Sequence, residues 1–159
     1  MKRPAEKSDE FLKVIVDWQA TEDDLINYAS TRLPKAGSPL IKTMLRVMEF
    51  DARKRCAIQQ MIVESTRKGA VNLDPDDLQA LFSHMNHHIE EEEKVLAAAQ
   101  AALDKTELFM PRSLLSYLIA GLKNENCLLR QFENEVKNAA IATSTGAKLF
   151  DSGKVCGPS

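Results

Sequence analysis

Residues 38–55 read SPLIKTMLRVMEFDARKR. Ser38 followed by Pro39 is a typical helix start, because proline at the first helical position lacks only an amide hydrogen that would have no partner there. After this start, strong helix formers dominate, and apolar residues recur at the spacing of one helix face. These residues are Ile41, Met44, Leu45 and Met48. The stretch therefore predicts an amphipathic helix that buries one side.

The same signals divide the rest of the chain. Asp74 precedes Pro75, and Pro111 marks another start. The predicted helices span 8–32, 39–68, 75–104 and 111–140. The turns between them are too short to carry the chain back along a helix, so successive helices should be antiparallel neighbours. The sequence predicts an all-α, up-down-up-down four-helix bundle that forms one domain over residues 1–140, with a flexible tail over 141–159.

The composition excludes several classes of function. The chain has 159 residues, which suffice for one hydrophobic core, and a net charge of −2. We find no basic stripe for nucleic acid, no signal peptide and no apolar run long enough for a membrane span. We therefore expect a cytoplasmic protein that binds neither nucleic acid nor membrane. The three cysteines, Cys56, Cys127 and Cys156, match no disulfide or zinc spacing and are interpreted as reduced thiols.

One charged residue interrupts the apolar stripe of each predicted helix. Glu22, Arg55, Glu92 and Glu125 fall in the centres of the four stripes, and Asp51 lies one turn before Arg55 near an edge. Counted from the turns, these residues lie at similar heights in antiparallel helices. The sequence therefore predicts a charged layer in the core, and buried carboxylates need a cation. Either Arg55 or a metal ion supplies it.

This arrangement resembles the ferritin-like carboxylate bundles, in which two glutamates and two Glu-x-x-His pairs bind two irons. Glu22 and Glu92 match the glutamates of the first and third helices. The positions of the two Glu-x-x-His pairs hold Ala52 and Arg55, and Leu122 and Glu125. The resemblance implies a ferritin-like bundle with a degenerate di-iron site. The short second turn instead matches the connectivity of hemerythrin, which takes histidines from different helices.

The three histidines of this chain all lie in one stretch, residues 84–94, HMNHHIEEEEK. His84, His88 and Glu92 follow one another at successive turns, as the ligands of a metal site could. For the run as a whole, a solvated helix face is the better interpretation. Only Glu92, with His88 beside it, has the position of an interior residue.

Two functions are compatible with this pattern. The leading hypothesis is a non-catalytic bundle without a cofactor, whose layer of Glu22, Asp51, Arg55, Glu92 and Glu125 is held by arginine–carboxylate pairing. Its role would be to bind a protein partner or to form a homo-oligomer. The alternative is an oxidoreductase or iron-handling protein that binds iron or another divalent metal. Its ligands would be Glu22, Asp51, His88, Glu92 and Glu125. For Arg55 itself, pairing with Asp51 at the surface is the alternative to pairing in the core.

Overall fold

The structure is a computed structural model that describes the backbone of residues 4–68 and 74–145 and the side chains of 8–68 and 74–140. Within these ranges, the regular structure is helical throughout. The helices are α1 (Pro4–Arg32), α2 (Pro39–Lys68), α3 (Pro75–Leu103) and α4 (Phe109–Thr145), and a short 3₁₀ turn, Leu33–Lys35, follows α1.

The helix starts follow the signals in the sequence with two differences. Asp74 caps α3 as predicted, because its carboxylate accepts a hydrogen bond of 2.8 Å from the amide of Asp77. Helix α1 begins at Pro4 rather than at residue 8. Helix α4 begins at Phe109, two residues before Pro111, since proline is tolerated anywhere in a first turn whose amides lack helical partners.

Helix α4 also ends later than predicted. It continues to Thr145, five residues beyond the predicted end at residue 140. The rest of the predicted tail, 146–159, lies outside the described residues. At the other end of α4, Arg112 donates hydrogen bonds to the carbonyl oxygens of Leu103 and Thr106, at 3.3 and 2.8 Å. The first of these bonds caps a carbonyl group at the C-terminal end of α3, and the second ties α4 to the turn that follows α3.

The chain divides into two compact units, residues 1–72 and 73–159. Each unit is a hairpin of two antiparallel helices, the first hairpin formed by α1 and α2 and the second by α3 and α4. In the first, Gln19 contacts Gln60; in the second, the Lys137 ammonium lies over the Phe82 ring, 5.1 Å from its centroid. The predicted all-α class, with four helices and antiparallel neighbours as in an up-down bundle, is confirmed.

Each helix contributes a seam of buried and half-buried residues, spaced alternately by three and four residues as in a coiled coil. In the first hairpin the seam is Leu12, Ile15, Gln19, Glu22, Ile26 and Ala29 with Leu45, Glu49, Ala52, Cys56, Gln59 and Val63. In the second it is Phe82, Met85, Ile89, Glu92, Leu96 and Ala99 with Leu115, Ile119, Leu122, Asn126, Leu129 and Glu133. Each seam residue thus has a counterpart 70 residues later, as Glu22 has Glu92. Few counterparts share a residue type, so the sequence alone does not reveal the repeat.

The buried seam of each helix is narrower than the apolar stripe expected from the sequence. Phe11 and Trp18, which belong to the apolar stripe predicted for α1, are both 46% exposed, and Met48 of α2 is 56% exposed. Leu118 and Phe132 of α4 are also about half exposed. The reason is geometric, because two helices cover a strip narrower than an apolar face of 100° or more. One flank of each stripe meets the partner helix of its hairpin, and the other stays accessible. Within the described ranges, no helix is both long and apolar enough to cross a membrane.

Candidate functional site

The candidate site is an ion pair at the middle of the first hairpin. The Arg55 guanidinium donates two hydrogen bonds to Glu22, from Nε to Oε1 at 2.7 Å and from Nη2 to Oε2 at 2.8 Å. The indole Nε1 of Trp18, one turn before Glu22, donates a third bond to Oε1 at 3.0 Å. The Glu22 side chain is 3% exposed and that of Arg55 is 40% exposed. Both carboxylate oxygens of Glu22 are therefore held by donors of this chain.

These bonds decide the ionisation of both partners. The Arg55 guanidinium beside Glu22 lowers the pKa of that carboxyl, aided by Trp18 and opposed by burial. The Glu22 carboxylate in turn raises the pKa of Arg55. Both groups stay charged at neutral pH. A bidentate pair of this kind holds its partners in one orientation.

The stability of the first hairpin should depend on pH through Glu22. Because the folded-state pKa of Glu22 is lowered, its contribution is complete above the ordinary value of 4.5 and is lost as pH falls through the folded-state pKa. Urea unfolding followed by Trp18 fluorescence, from about pH 7 to about pH 3, measures this loss. In Glu22→Gln, we expect the free energy of unfolding to fall less as the pH is lowered from about 7 to about 3. If it falls as steeply as in the unchanged protein, the pH dependence comes from other carboxylates.

Two neighbours of Arg55 complete the surroundings of the ion pair. Asp51, another partner predicted for Arg55, raises the pKa of Arg55 through its charge without forming an ion pair with it. Cys56 is a free, half-buried thiol whose pKa is raised, first by burial and then by the charge of Asp23. A raised pKa suppresses the thiolate, which is the reactive form of cysteine. Of the carboxylates predicted as partners of Arg55, the structure therefore shows Glu22.

The second hairpin has a different set of polar groups at the positions that correspond to Glu22 and Arg55. Glu92 corresponds to Glu22, and its Oε1 lies 3.2 Å from His88 Nε2, an ion pair when the imidazole is protonated. The other oxygen, Glu92 Oε2, is buried without a hydrogen-bond partner, as is Oδ1 of Asn126 on α4. At the counterpart of Arg55 stands Glu125. The second hairpin therefore has no arginine at this position, and two buried acceptor atoms have no donor.

The remaining predicted site residues lie as follows. His84 and His87 are exposed and the His88 side chain is 60% exposed, as expected for a solvated helix face. Asp51 and Glu125 are half-buried. Among the residues whose positions are described, no group of three or more histidine, cysteine, aspartate and glutamate side chains could hold a metal ion. A layer that includes Glu22, Asp51, Arg55, Glu92 and Glu125 together stays a prediction, as does the metal site of the alternative.

No family model, curated protein or solved structure matches the chain. The ferritin-like resemblance therefore rests on the residue pattern in the four helices and gains no support from a relative. A function is therefore inferred from the ion pair and its surroundings.

One prediction about the cysteines is wrong. Cys127 was expected to be a reduced thiol, but it is disulfide-bonded in the structure. Pairing depends on the distance between cysteines in the folded chain, which the spacing in the sequence does not show. Cys56 is free as expected, and Cys156 lies outside the described residues.

Three buried polar residues were missed by the sequence analysis. Gln59 is 1% exposed, and neither of its side-chain polar atoms has a partner. Asn126 is 9% and Glu133 6% exposed, and Glu133 pairs with Lys137 at 2.6 Å. All three are seam residues. A search for positions at alternate steps of three and four residues along each helix would have identified them. A broad apolar face covers too many positions to distinguish them from their neighbours.

Proposed function

We propose that this chain is a non-catalytic helical protein of ferritin-like pattern, in which an arginine–carboxylate pair takes the place of a di-iron centre. The observation that carries the proposal is the bidentate bond of Arg55 to Glu22. A fixed guanidinium neutralises the buried carboxylate and would repel an incoming metal cation. The role of the protein would then lie in binding a partner protein or in assembly with other copies.

The residues do not fit a di-iron centre of the ferritin kind. Such a centre needs a histidine or carboxylate at each of its six ligand positions. Ala52, Arg55 and Leu122 offer none of these, and Glu22 already gives both oxygens to Arg55. No step of an iron-dependent reaction can therefore be assigned to these side chains.

The binding role is supported by the apolar residues that the hairpin seams do not cover. On α1, Phe11, Trp18 and Leu25 recur every seven residues and are each about half exposed. On α4, Leu118 and Phe132 are exposed to a similar degree. Apolar rows of this kind are typical of surfaces that bind other proteins. A cytoplasmic location and the absence of nucleic-acid and membrane partners stay predictions.

One observation favours the alternative, an iron-binding oxidoreductase or iron-handling protein. Glu92 Oε2 and Asn126 Oδ1 are both buried acceptors without donors, and His88 Nε2 lies beside the other oxygen of Glu92. Buried acceptors of this type are satisfied by a donor or by a cation. The ligands predicted for this alternative are Glu22, Asp51, His88, Glu92 and Glu125.

One preparation can decide between the two functions. We would load the protein with Fe(II) without oxygen, remove free metal, and measure iron by atomic emission and molar mass by light scattering. We expect well under one iron per chain, together with a mass above the 17.8 kDa of the monomer or capture of a protein partner. Near-stoichiometric iron that is lost in Glu92→Ala would overturn the proposal and establish the alternative.

Arg55→His supplies a matched comparison in the same assay. Histidine stands at this position in the ferritin-like pattern, so the substitution removes the fixed cation and adds a ligand. We expect iron binding to appear or to strengthen in this variant, whereas Arg53→His, on the exposed side of α2, should behave as the unchanged protein does. Equal iron content in all three proteins would show that Arg55 does not exclude metal.

A further inference from the structure

A groove of about 520 Å³ lies in the first hairpin, beside the turn between α1 and α2. Its lining residues are Tyr28, Arg32, Lys35, Ala36, Ile41 and Leu45. The volume lies within the range of small-molecule sites in proteins. Neither Glu22 nor Arg55 lines the groove, and the groove takes no part in the proposed function.

The groove is positively charged although the chain as a whole is slightly acidic. Residues 25–48 contain the cations Arg32, Lys35, Lys42 and Arg46 and no aspartate or glutamate. The ion pairs formed within the described residues do not include any of these four. The Arg32 guanidinium stacks over the Tyr28 ring, 4.8 Å from its centroid, which holds the charge at the rim. The first turn of α2, which includes Ile41, adds the positive end of a helix dipole.

The rest of the lining is apolar. Leu45 is buried, and Ile41, Ala36 and the ring of Tyr28 give the groove further carbon surface. An inorganic anion would use the charges and leave this surface in contact with water. A neutral apolar molecule would leave the charges unused, and a cation would be repelled by Arg32 and Lys35.

We propose that this groove binds a small organic anion, with one carboxylate or phosphate head group attached to an apolar body. The head group pairs with Arg32 and Lys35, and the body lies against Ile41 and Leu45. A guanidinium forms two parallel hydrogen bonds with either kind of head group, so the groove recognises the chemistry that they share. The counterpart turn of the second hairpin lacks this set, because Tyr28 and Arg32 correspond there to Ala98 and Ala102.

Titration of the isotope-labelled protein, followed by amide NMR shifts, tests the proposal. The probes are octanoate, octyl phosphate, octan-1-ol and inorganic phosphate. We expect saturable shifts confined to residues 28–45 with the two amphiphilic anions, and much weaker shifts with the alcohol or inorganic phosphate. The stronger of the two anions identifies the head group that the site prefers. Inorganic phosphate that binds as tightly as octanoate would overturn the proposed apolar subsite.

Variants locate the binding residues. We expect Arg32→Gln and Lys35→Gln each to weaken octanoate binding about five-fold, the effect of one exposed ion pair. Ala36→Trp keeps every charge but fills the groove, so it should abolish binding. Lys105→Gln is the matched control, since Lys105 is the counterpart of Lys35 in the second hairpin, and its binding should be unchanged. Octanoate shifts that spread over exposed apolar residues of both hairpins, or that persist in Ala36→Trp, would refute the site. Absence of saturable binding in the folded protein would do so as well.

Discussion

Arg55→Ala is expected to lower the free energy of unfolding of the first hairpin by about 3 kcal/mol. Glu22 is 3% exposed and receives two of its three hydrogen bonds from Arg55, so the substitution leaves a buried carboxylate with only the Trp18 indole. A buried charge that loses its partner typically costs 3 to 5 kcal/mol. The lower end applies here because Arg55 is 40% exposed, and water can reach part of the space that it leaves.

Urea unfolding followed by Trp18 fluorescence measures this loss. Trp18 is the only tryptophan of the chain and donates directly to Glu22, so its emission reports on the first hairpin. Arg53→Ala is the matched control, because Arg53 forms an exposed pair with Glu49 on the same helix, and we expect almost no change. Similar losses in both variants would mean that Arg55 behaves as a solvated surface residue.

A double variant separates the stranded charge from lost packing. Glu22→Leu combined with Arg55→Leu removes both charges and keeps side-chain volume. We expect this protein to recover most of the stability lost in Arg55→Ala, since a buried ion pair can often be exchanged for apolar residues without loss. A double variant as unstable as Arg55→Ala would point to packing rather than charge as the cause.

Gln59→Leu is expected to stabilise the first hairpin by about 1 to 3 kcal/mol, the usual cost of a buried polar group without partners. Gln59 is 1% exposed, and its amide nitrogen and oxygen both lack hydrogen-bond partners. Leucine has nearly the same length and already stands at the counterpart position, Leu129 of the second hairpin. The substitution therefore removes the desolvation cost and keeps the seam filled.

The same fluorescence assay checks this gain. Gln60→Leu is the control, because Gln60 lies next in the chain, is exposed and donates to Glu64 at 2.9 Å. We expect no stabilisation from that change. If Gln59→Leu destabilised the hairpin, the Gln59 amide would have to make hydrogen bonds in solution, and its burial would then have a binding or specificity role.

Much of the fold could be predicted because its signals are local. Ser38 and Pro39 predict the start of α2, and Asp74 and Pro75 predict that of α3, since caps and proline act within one helical turn. The errors at Pro4, Phe109 and Thr145 involve only the ends of helices. The ends of helices are harder to predict from the sequence, because a first turn tolerates proline at several positions and a last turn can continue into polar sequence.

The candidate site could be predicted only in part. The apolar stripes single out Glu22 and Arg55, because a charge at the centre of such a stripe must find a partner when it is buried. The partner itself could not be chosen, since Asp51 is one turn away on the same helix and Glu22 is 33 residues away. Gln59 and Asn126 were missed because uncharged polar residues do not stand out in a broad apolar arc.

The helices and the charges that interrupt their apolar faces could be read from the chain, because they depend on neighbours within a few residues. Which flank of each stripe is covered, and that Arg55 holds Glu22, became clear from the packing of the folded chain. The structure also showed that the second hairpin repeats the seam of the first, with Glu125 in place of the arginine. These features depend on the register between two helices. That register results from all of their contacts together and cannot be inferred from any one segment.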